Sequence, residues 1–278
     1  PEYINDADEF HILDLTNQHA VDDFFLRNAF DEVYQLAADM GGADYIFTGD
    51  NDLEIMTRSM QINLNVIDAV RAYNVPKIFY SSSACVYSED KQLDKNNIDC
   101  RESAAYPANP DSEYGWEKLF SERLYQNLHK HTNTQVRIAR FHNIFGPSSE
   151  YDSGREKAPA ALCRKVALCP NGGSIDVYGS GEQVRSFMFI SDCLDCVEDL
   201  MLSGYSAPVN IGSDFTISIN DLAKKIIAIS GKSITINNID VPQTGVVART
   251  SDNELFDRMV GTPRKVGLPD GLEKLYRW

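Results

Sequence analysis

Tyr114 and Lys118 lie one helical turn apart in Asp111-Ser112-Glu113-Tyr114-Gly115-Trp116-Glu117-Lys118, a stretch that opens a helical pattern. At i and i+4 on a helix, both side chains project from one face. A tyrosine with a lysine in that position is a phenol placed for proton transfer. The ammonium favours the phenolate and lowers a pKa that starts near ~10. A hydroxyl at the end of a neighbouring strand completes such a site, and Ser83 is the candidate. It follows the apolar Ile78-Phe79-Tyr80, in the run Ser81-Ser82-Ser83-Ala84-Cys85-Val86-Tyr87. The plain alternative is a half-buried aromatic on an ordinary helix. Because the Tyr-x-x-x-Lys spacing is common, the serine-rich strand end is what favours the chemical reading.

Positioning these groups requires a strand ending near residue 83 and a helix starting near 112. Residues 76–80 predict that strand, and helical periodicity over 53–73 precedes it. Earlier, Glu32-Val33-Tyr34-Gln35-Leu36-Ala37-Ala38 predicts a strand that breaks at Asp39-Met40-Gly41-Gly42. Small residues there permit close approach of a flat ligand. Residues 9–16 predict a first strand, with Thr16 or Asn17 capping a helix over 21–30. The alternation of strand and helix implies a parallel sheet. Further on, 135–140 predicts a strand leading into Phe141-His142-Asn143-Ile144-Phe145-Gly146-Pro147, and a Gly/Ser/Asp-rich loop follows at 148–154. Two strands, 175–178 and 183–190, flank Gly179 and Gly181, and a helix begins at Ser191. Another short strand covers 209–213. Ser218 with Asp221 opens a helix in the manner of a capping box, and Gly231 ends it.

With 278 residues, 43% of them hydrophobic, the chain can bury a large core, most simply as one domain plus a smaller lobe. It contains no apolar run long enough to span a membrane. The formal charge of −15 argues against nucleic acid or an anionic membrane surface as a general partner. In so acidic a chain, Arg185 and Arg249 stand inside otherwise uncharged stretches, which marks them as ligands for an anion. The six cysteines do not suggest a disulfide framework, and a reducing, cytoplasm-like compartment is expected. Cys193 and Cys196 fall in an apolar, acidic helical stretch, where packing accounts for them better than a metal. His142 reads as a hydrogen-bonded structural histidine.

The ordered series LAADMGG at 36–42, SSACVY at 82–87, YGWEK at 114–118, RFHNIFGP at 140–147, GREKAPAALCRK at 154–165, QVRSFMFI at 183–190, PVNIGSD at 208–214 and RTSDN at 249–253 covers nearly the whole chain. It resembles the NAD-dependent nucleotide-sugar epimerases of the extended short-chain dehydrogenase/reductase family, and among them the GDP-mannose 3,5-epimerases. The resemblance implies an α/β fold with a Rossmann-type doubly wound parallel sheet and a smaller α/β substrate-binding lobe. Residues 1–150 would form the NAD-binding domain. Residues 151–278 would form mainly the nucleotide-sugar lobe, with segments returning to the first domain. No Gly-rich dinucleotide loop occurs in the sequence, and the chain enters where the family is near its third strand. It is therefore expected to be a truncated form, lacking at least one βαβ unit of roughly 30 residues and binding NAD weakly by itself.

The implied activity is epimerisation of GDP-mannose at C3 and C5, through a transient 4-keto sugar, to GDP-L-galactose. Tyr114, assisted by Lys118 and Ser83, would take the C4 hydroxyl proton. Cys85 and Lys157 would be the acid/base pair at the neighbouring carbons. The related 4,6-dehydratases carry an Asp-Glu pair where this chain has Ala84-Cys85. A thiol, pKa near ~8.5 and lowered by neighbouring cations, can titrate near neutrality. Taken alone, Cys85 would read as a small buried hydrophobe and Lys157 as a solvated lysine at a helix start. Asp14, Leu15, Ala37, Ala38, Tyr114 and Lys118 would contact the cofactor. Met40, Gly41, Asn143, Lys165, Gln183, Arg185 and Arg249 would hold the substrate, and two copies would form a homodimer. The alternatives are another NAD-dependent nucleotide-sugar epimerase, or a non-catalytic sugar-nucleotide-binding fragment.

Overall fold

The computed structural model describes residues 7–240 and 245–278. Helix α1 (Gln18–Arg27) begins at Asn17, whose side chain accepts the Ala20 N–H, one of the two caps expected. Strand β1 (Glu32–Gln35) is followed by a single turn, α2 (Ala43–Ile46), and by the long α3 (Asp52–Ala72). Strand β2 (Lys77–Ser83), helix α4 (Glu113–His131) and strand β3 (Gln135–Phe141) complete this half. β1, β2 and β3 pair in parallel, with Lys77 through Ser83 opposite Gln135 through Phe141. Both inner strands are buried along nearly their whole length, as strands covered on two faces must be. Val21 and Phe25 of α1 and Val66 and Val70 of α3 pack with Ile78, Tyr80, Val136 and Ile138 on one side of the sheet.

The strand expected at residues 9–16 does not form. A strand is stabilised by a neighbour's ladder, and among the described residues nothing pairs with this segment. It runs as an irregular stretch with Phe10 and Ile12 exposed, pinned where Leu15 O accepts from Asn65 Nδ2 at 2.8 Å.

In the second half come β4 (Ile144–Phe145), α5 (Ala158–Leu168), β5 (Ser174–Tyr178), β6 (Val184–Ser186), β7 (Met188–Phe189), α6 (Ile190–Leu202) and β8 (Val209–Ile211). They are followed by β9 (Thr216–Ser218), α7 (Ile219–Ser230), β10 (Thr235–Ile239), β11 (Ala248–Arg249), α8 (Glu254–Met259) and α9 (Leu268–Arg277). β8 returns to the large sheet beside β3, giving the order β1-β2-β3-β8. The Cys193 and Cys196 side chains of α6 are buried against Phe79, Val209 and Ile211 of that sheet. The strands flanking Gly179 and Gly181 go to different sheets. Those glycines adopt φ of 67° and 71°, turning the chain so that β5 pairs with β10 while β6 lies between β11 and β9. A second apolar core joins Leu162 and Val166 of α5, Leu222 and Ile226 of α7, and Leu272 and Leu275 of α9. Ser218 caps α7 on the Asp221 N–H, and Gly231 ends it at φ 68°.

Candidate active site

Ser112 opens α4 by accepting the Gly115 N–H at 3.2 Å. The helix then lies so close to the loop after β2 that a Cβ at Gly115 would stand 2.2 Å from the Cys85 carbonyl oxygen and 2.8 Å from Pro110 Cβ. Glycine permits this approach, and it places Tyr114 in one cluster with Met40 and Cys85. The Tyr114 hydroxyl is 4.0 Å from Met40 Sδ. One turn on, Lys118 is buried and its Nζ donates to Ser81 O at 2.9 Å. Ser82 points the other way, donating to Glu122 at 2.5 Å. Glu122 also accepts from Arg140 Nε and Nη2 at 2.8 and 2.7 Å, so a buried ion pair fastens β2, β3 and α4 together behind the site. The Ser83 hydroxyl oxygen accepts the Cys85 N–H at 3.2 Å, which fixes the tight turn that presents the thiol.

The expectation that Lys118 would bring the Tyr114 phenol below its ordinary pKa is corrected here. Burial raises it strongly and the nearby Cys85 raises it further, while the Ser83 hydroxyl is the leading group favouring the phenolate. The ammonium is itself removed from water, and its hydrogen bond goes to the Ser81 carbonyl. Burial lowers the Lys118 pKa, against the opposing pull of Glu117 and Glu122. Burial likewise lowers that of Lys157, whose Nζ donates to Gly41 O at 2.8 Å. The segment carrying Lys157 is pressed against the start of α2: a Cβ on Gly42 would be 2.3 Å from Glu156 O. Arg155 reaches over the same junction to Asp39, at 3.1 Å.

A cavity of about 300 Å³ opens between Cys85 and Lys157 on one side and the second core on the other; Ser83, Tyr114 and Lys118 are not among its lining residues. Cys85, Asn143, Lys157, Lys165, Gln183, Arg185 and Arg249 line it, so seven residues from five separate stretches meet at one space. Asn143, at φ 48°, donates to Ser186 O. Lys165 Nζ donates to Asp176 O at 2.8 Å and lies 4.7 Å from the Tyr178 ring centroid. The Gln183 side-chain oxygen is buried and finds no partner among the described residues. Arg185 donates to Val184 O and Val246 O, and burial first, then Arg249, brings its pKa down to about 10. Arg249 is engaged on three sides: Nε to Gln92 Oε1 at 2.6 Å, Nη1 to Cys85 Sγ at 3.0 Å and Nη2 to Asp111 Oδ2 at 2.8 Å.

Gln92 and Asp111 were not anticipated. Residue 92 falls in a stretch with no periodicity, and 111 reads only as the polar lead-in to a helix cap. Met40 and Gly41 lie beside Tyr114 and Lys157 through the contacts above. Ala37 is held by Gln35, which accepts its N–H and donates to its carbonyl. Asp14 uses its carboxylate on the Thr16 N–H and hydroxyl, and Leu15 packs under α1 with the sheet core. The Lys118 ammonium spends one of its three donors on Ser81, and the remaining two suit the hydroxyls of a ribose. On that chemistry, the residues present fit the nicotinamide-ribose end of NAD. His142 is fully buried, with Nε2 2.9 Å from Asn210 Oδ1, and burial brings its pKa down to about 3.

Residues 1–212 match the family described as the NAD dependent epimerase/dehydratase family. The chain is 40% identical over 272 residues to the GDP-mannose 3,5-epimerase of Arabidopsis thaliana, covering 98% of this chain and 70% of that protein. It is 41% identical over 271 residues to GDP-mannose 3,5-epimerase 1 of Oryza sativa subsp. indica, covering 97% and 69%. Among solved structures, the UDP-glucose 4-epimerase of Thermus thermophilus in complex with NAD superposes with a TM-score of 0.80 at 17% identity, over 95% of this chain and 82% of that one. That likeness identifies the fold as the Rossmann-type α/β arrangement.

Proposed function

The chain belongs to the NAD dependent epimerase/dehydratase family and, within it, to the GDP-mannose 3,5-epimerases; from that premise we propose that it inverts C3 and C5 of GDP-mannose to give GDP-L-galactose. The observation that carries the reading is the meeting of Cys85 and Lys157 at one cavity whose other walls hold Lys165, Gln183 and Arg185. Inverting a sugar carbon means removing a proton from a C–H that is barely acidic. A ketone at C4 acidifies the protons on both neighbours, so one oxidation serves both inversions. NAD, when bound, supplies that oxidation by taking the hydride from C4 and returning it at the end.

The chain's own part is proton movement and placement. Tyr114 Oη takes the C4 hydroxyl proton, with the Ser83 hydroxyl favouring its phenolate. Of Cys85 Sγ and Lys157 Nζ, one removes a ring proton and the other returns one to the opposite face. Burial favours the neutral amine of Lys157, the form able to accept a proton. Lys165, Gln183 and Arg185 provide the cations and amide group that a nucleoside diphosphate needs, inside a chain of charge −15. Trp116 and Phe120, exposed one turn apart on α4, with Leu64 exposed on α3, support association as a homodimer. All six thiols are unpaired, which supports a cytoplasmic location.

Incubation with GDP-mannose in deuterated water tests the reading. Deuterium enters at C5 and C3. Formation of a 4-epimer with deuterium at neither carbon would replace it with a simple 4-epimerase.

A further inference from the structure

We propose that Glu117 is a positioning residue for C4 oxidation: its buried carboxylate keeps Lys118 an ammonium, and Asn63 and Gln35 hold that carboxylate in place. The proposal rests on the assignment of Tyr114 and Lys118 to that step. Two carboxylates lie on the buried face of α4, Glu117 and Glu122. Glu122 gives both of its oxygens to Arg140, so its charge already has a partner. Glu117 is fully buried and forms no direct ion pair among the described residues. Its Oε1 accepts from Asn63 Nδ2 at 2.9 Å and from Ser121 Oγ at 2.6 Å, and two donors on one oxygen suit an ionised carboxylate. Its Oε2 is buried without a partner, so a proton carried there would find no acceptor among the described residues.

The carboxylate is held from behind. Asn63 Oδ1 accepts from Gln35 Nε2 at 2.9 Å and from Tyr125 Oη at 3.0 Å, so the amide cannot flip without losing both bonds. Its Nδ2 therefore faces Glu117 and Ser121. Gln35 is in turn clamped to both backbone groups of Ala37. Lys118 Nζ has a single hydrogen bond, to Ser81 O, and stands 4.9 and 5.8 Å from the ring centroids of Tyr80 and Tyr114. The titratable groups facing it are Tyr80 of β2, Tyr114, Glu117 and Glu122 of α4, and Cys85. Burial favours the neutral amine, and Glu117 is the leading group opposing it. The difference matters because an ammonium has three donors, whereas a neutral amine has two and a lone pair. With one donor on Ser81, only the ammonium keeps two for a ribose. Glu117 is absent from the cavity's walls, so it acts through Lys118 and not on the sugar nucleotide.

The test reads the amine itself. In the full chain carrying isotope-labelled lysine, the Lys118 side-chain NMR signal is assigned by its loss in Lys118→Met and followed as a function of pH. In the parent it should be an ammonium at about pH 7. In Glu117→Gln the midpoint of its titration should fall by about one pH unit or more, the effect of one lost opposite charge. Deuterium wash-in from GDP-mannose, with NAD present, should lose its high-pH limb at correspondingly lower pH, because a lysine needed as the ammonium fails as pH rises through its pKa. GDP-mannose affinity by calorimetry should move less than about threefold. An unchanged midpoint in Glu117→Gln, with Lys118→Met inactive, overturns the proposal and leaves the assignment of Lys118 standing. A neutral Lys118 amine in the parent at about pH 7 overturns it as well. Normal wash-in by Lys118→Met removes the assignment and the proposal together. Should Glu117→Gln fail to fold, by circular dichroism, the carboxyl-carbon NMR signal of Glu117 in the parent decides: ionised at about pH 7 supports the proposal, and protonated overturns it.

Discussion

Replacing Gly115 by alanine sets two effects of known size against each other. In a helix interior alanine is favoured over glycine by about 0.5–1 kcal/mol, so propensity alone predicts a more stable protein. The added Cβ, however, would stand 2.2 Å from Cys85 O and 2.8 Å from Pro110 Cβ. Carbon and oxygen tolerate each other at about 3.3 Å or more, so the helix start and the Cys85 turn must separate by roughly 1 Å. The carbonyl is backbone, and its turn is braced by the Ser83 and Ala84 bonds, so the strain cannot be absorbed by a side-chain rotation. Overpacking of this kind costs about 1–3 kcal/mol, which exceeds the propensity gain. Functionally, a displacement near 1 Å between Tyr114 and Cys85 should reduce turnover by about 100-fold. Thermal melting by circular dichroism and deuterium wash-in from GDP-mannose measure the two quantities. A Gly115→Ala protein that melts higher and exchanges at the parent rate would refute the close-approach argument outright.

Other substitutions separate the remaining roles. Cys85→Ala should abolish deuterium entry at both ring carbons and leave GDP-mannose binding by calorimetry nearly intact, whereas Tyr114→Phe should block C4 oxidation and every later step; normal epimerisation by either would remove that residue from the mechanism. Glu122→Gln leaves the buried Arg140 without its charge partner and should destabilise the fold by about 3 kcal/mol or more; melting within about 2 °C of the parent would contradict it. His142 binds its proton near pH 6.5 when unfolded but only near pH 3 when folded. The unfolded state therefore holds the extra proton between those values, and this contribution is complete above pH 6.5 and lost as pH falls toward 3. Between pH 6.5 and 4.5 the loss attributable to His142 is about 2–3 kcal/mol; His142→Asn should flatten the stability profile there, and parallel profiles would show that another group controls acid unfolding.

The residues most readable from the sequence were those whose spacing carries local geometry. Tyr114 and Lys118 occupy one buried face of α4, Asn17 and Ser218 cap their helices, and the strands expected at 76–80 and 135–140 form, at 77–83 and 135–141, and pair in parallel. Long-range partners left less trace. Arg249 stood out as an isolated cation, and it lines the cavity, but its partners within the chain, residues 85, 92 and 111, left no signal. Nothing in a non-periodic stretch distinguishes Gln92 from a surface glutamine, because its burial is decided by β11 folding back over it. The strand expected at 9–16 had the composition but not the neighbour, and composition does not encode the presence of a ladder partner. The Tyr114 phenol was misjudged for a related reason. Spacing places the lysine nearby, but desolvation of both groups, which controls their charge, depends on what packs above them.

At Gly42 and Gly115 the cavity's surroundings meet backbone against backbone, with Glu156 O and Cys85 O pressed where a methyl group would otherwise be. The Gly42 seam borders the cavity directly, and the Gly115 seam fixes the turn that carries Cys85, another lining residue. A larger side chain cannot be inserted there to narrow it, and because neither glycine has a side chain to trim, shortening residues there cannot widen it. Retuning of substrate range, by selection or in the laboratory, therefore falls to the walls built from side chains, Val177, Tyr178, Phe187 and Ile219 among them. Variation there can change what is admitted while the distance between thiol and phenol stays constant. A library aimed at new nucleotide sugars should accordingly leave residues 42 and 115 fixed and diversify positions 177, 178, 187 and 219.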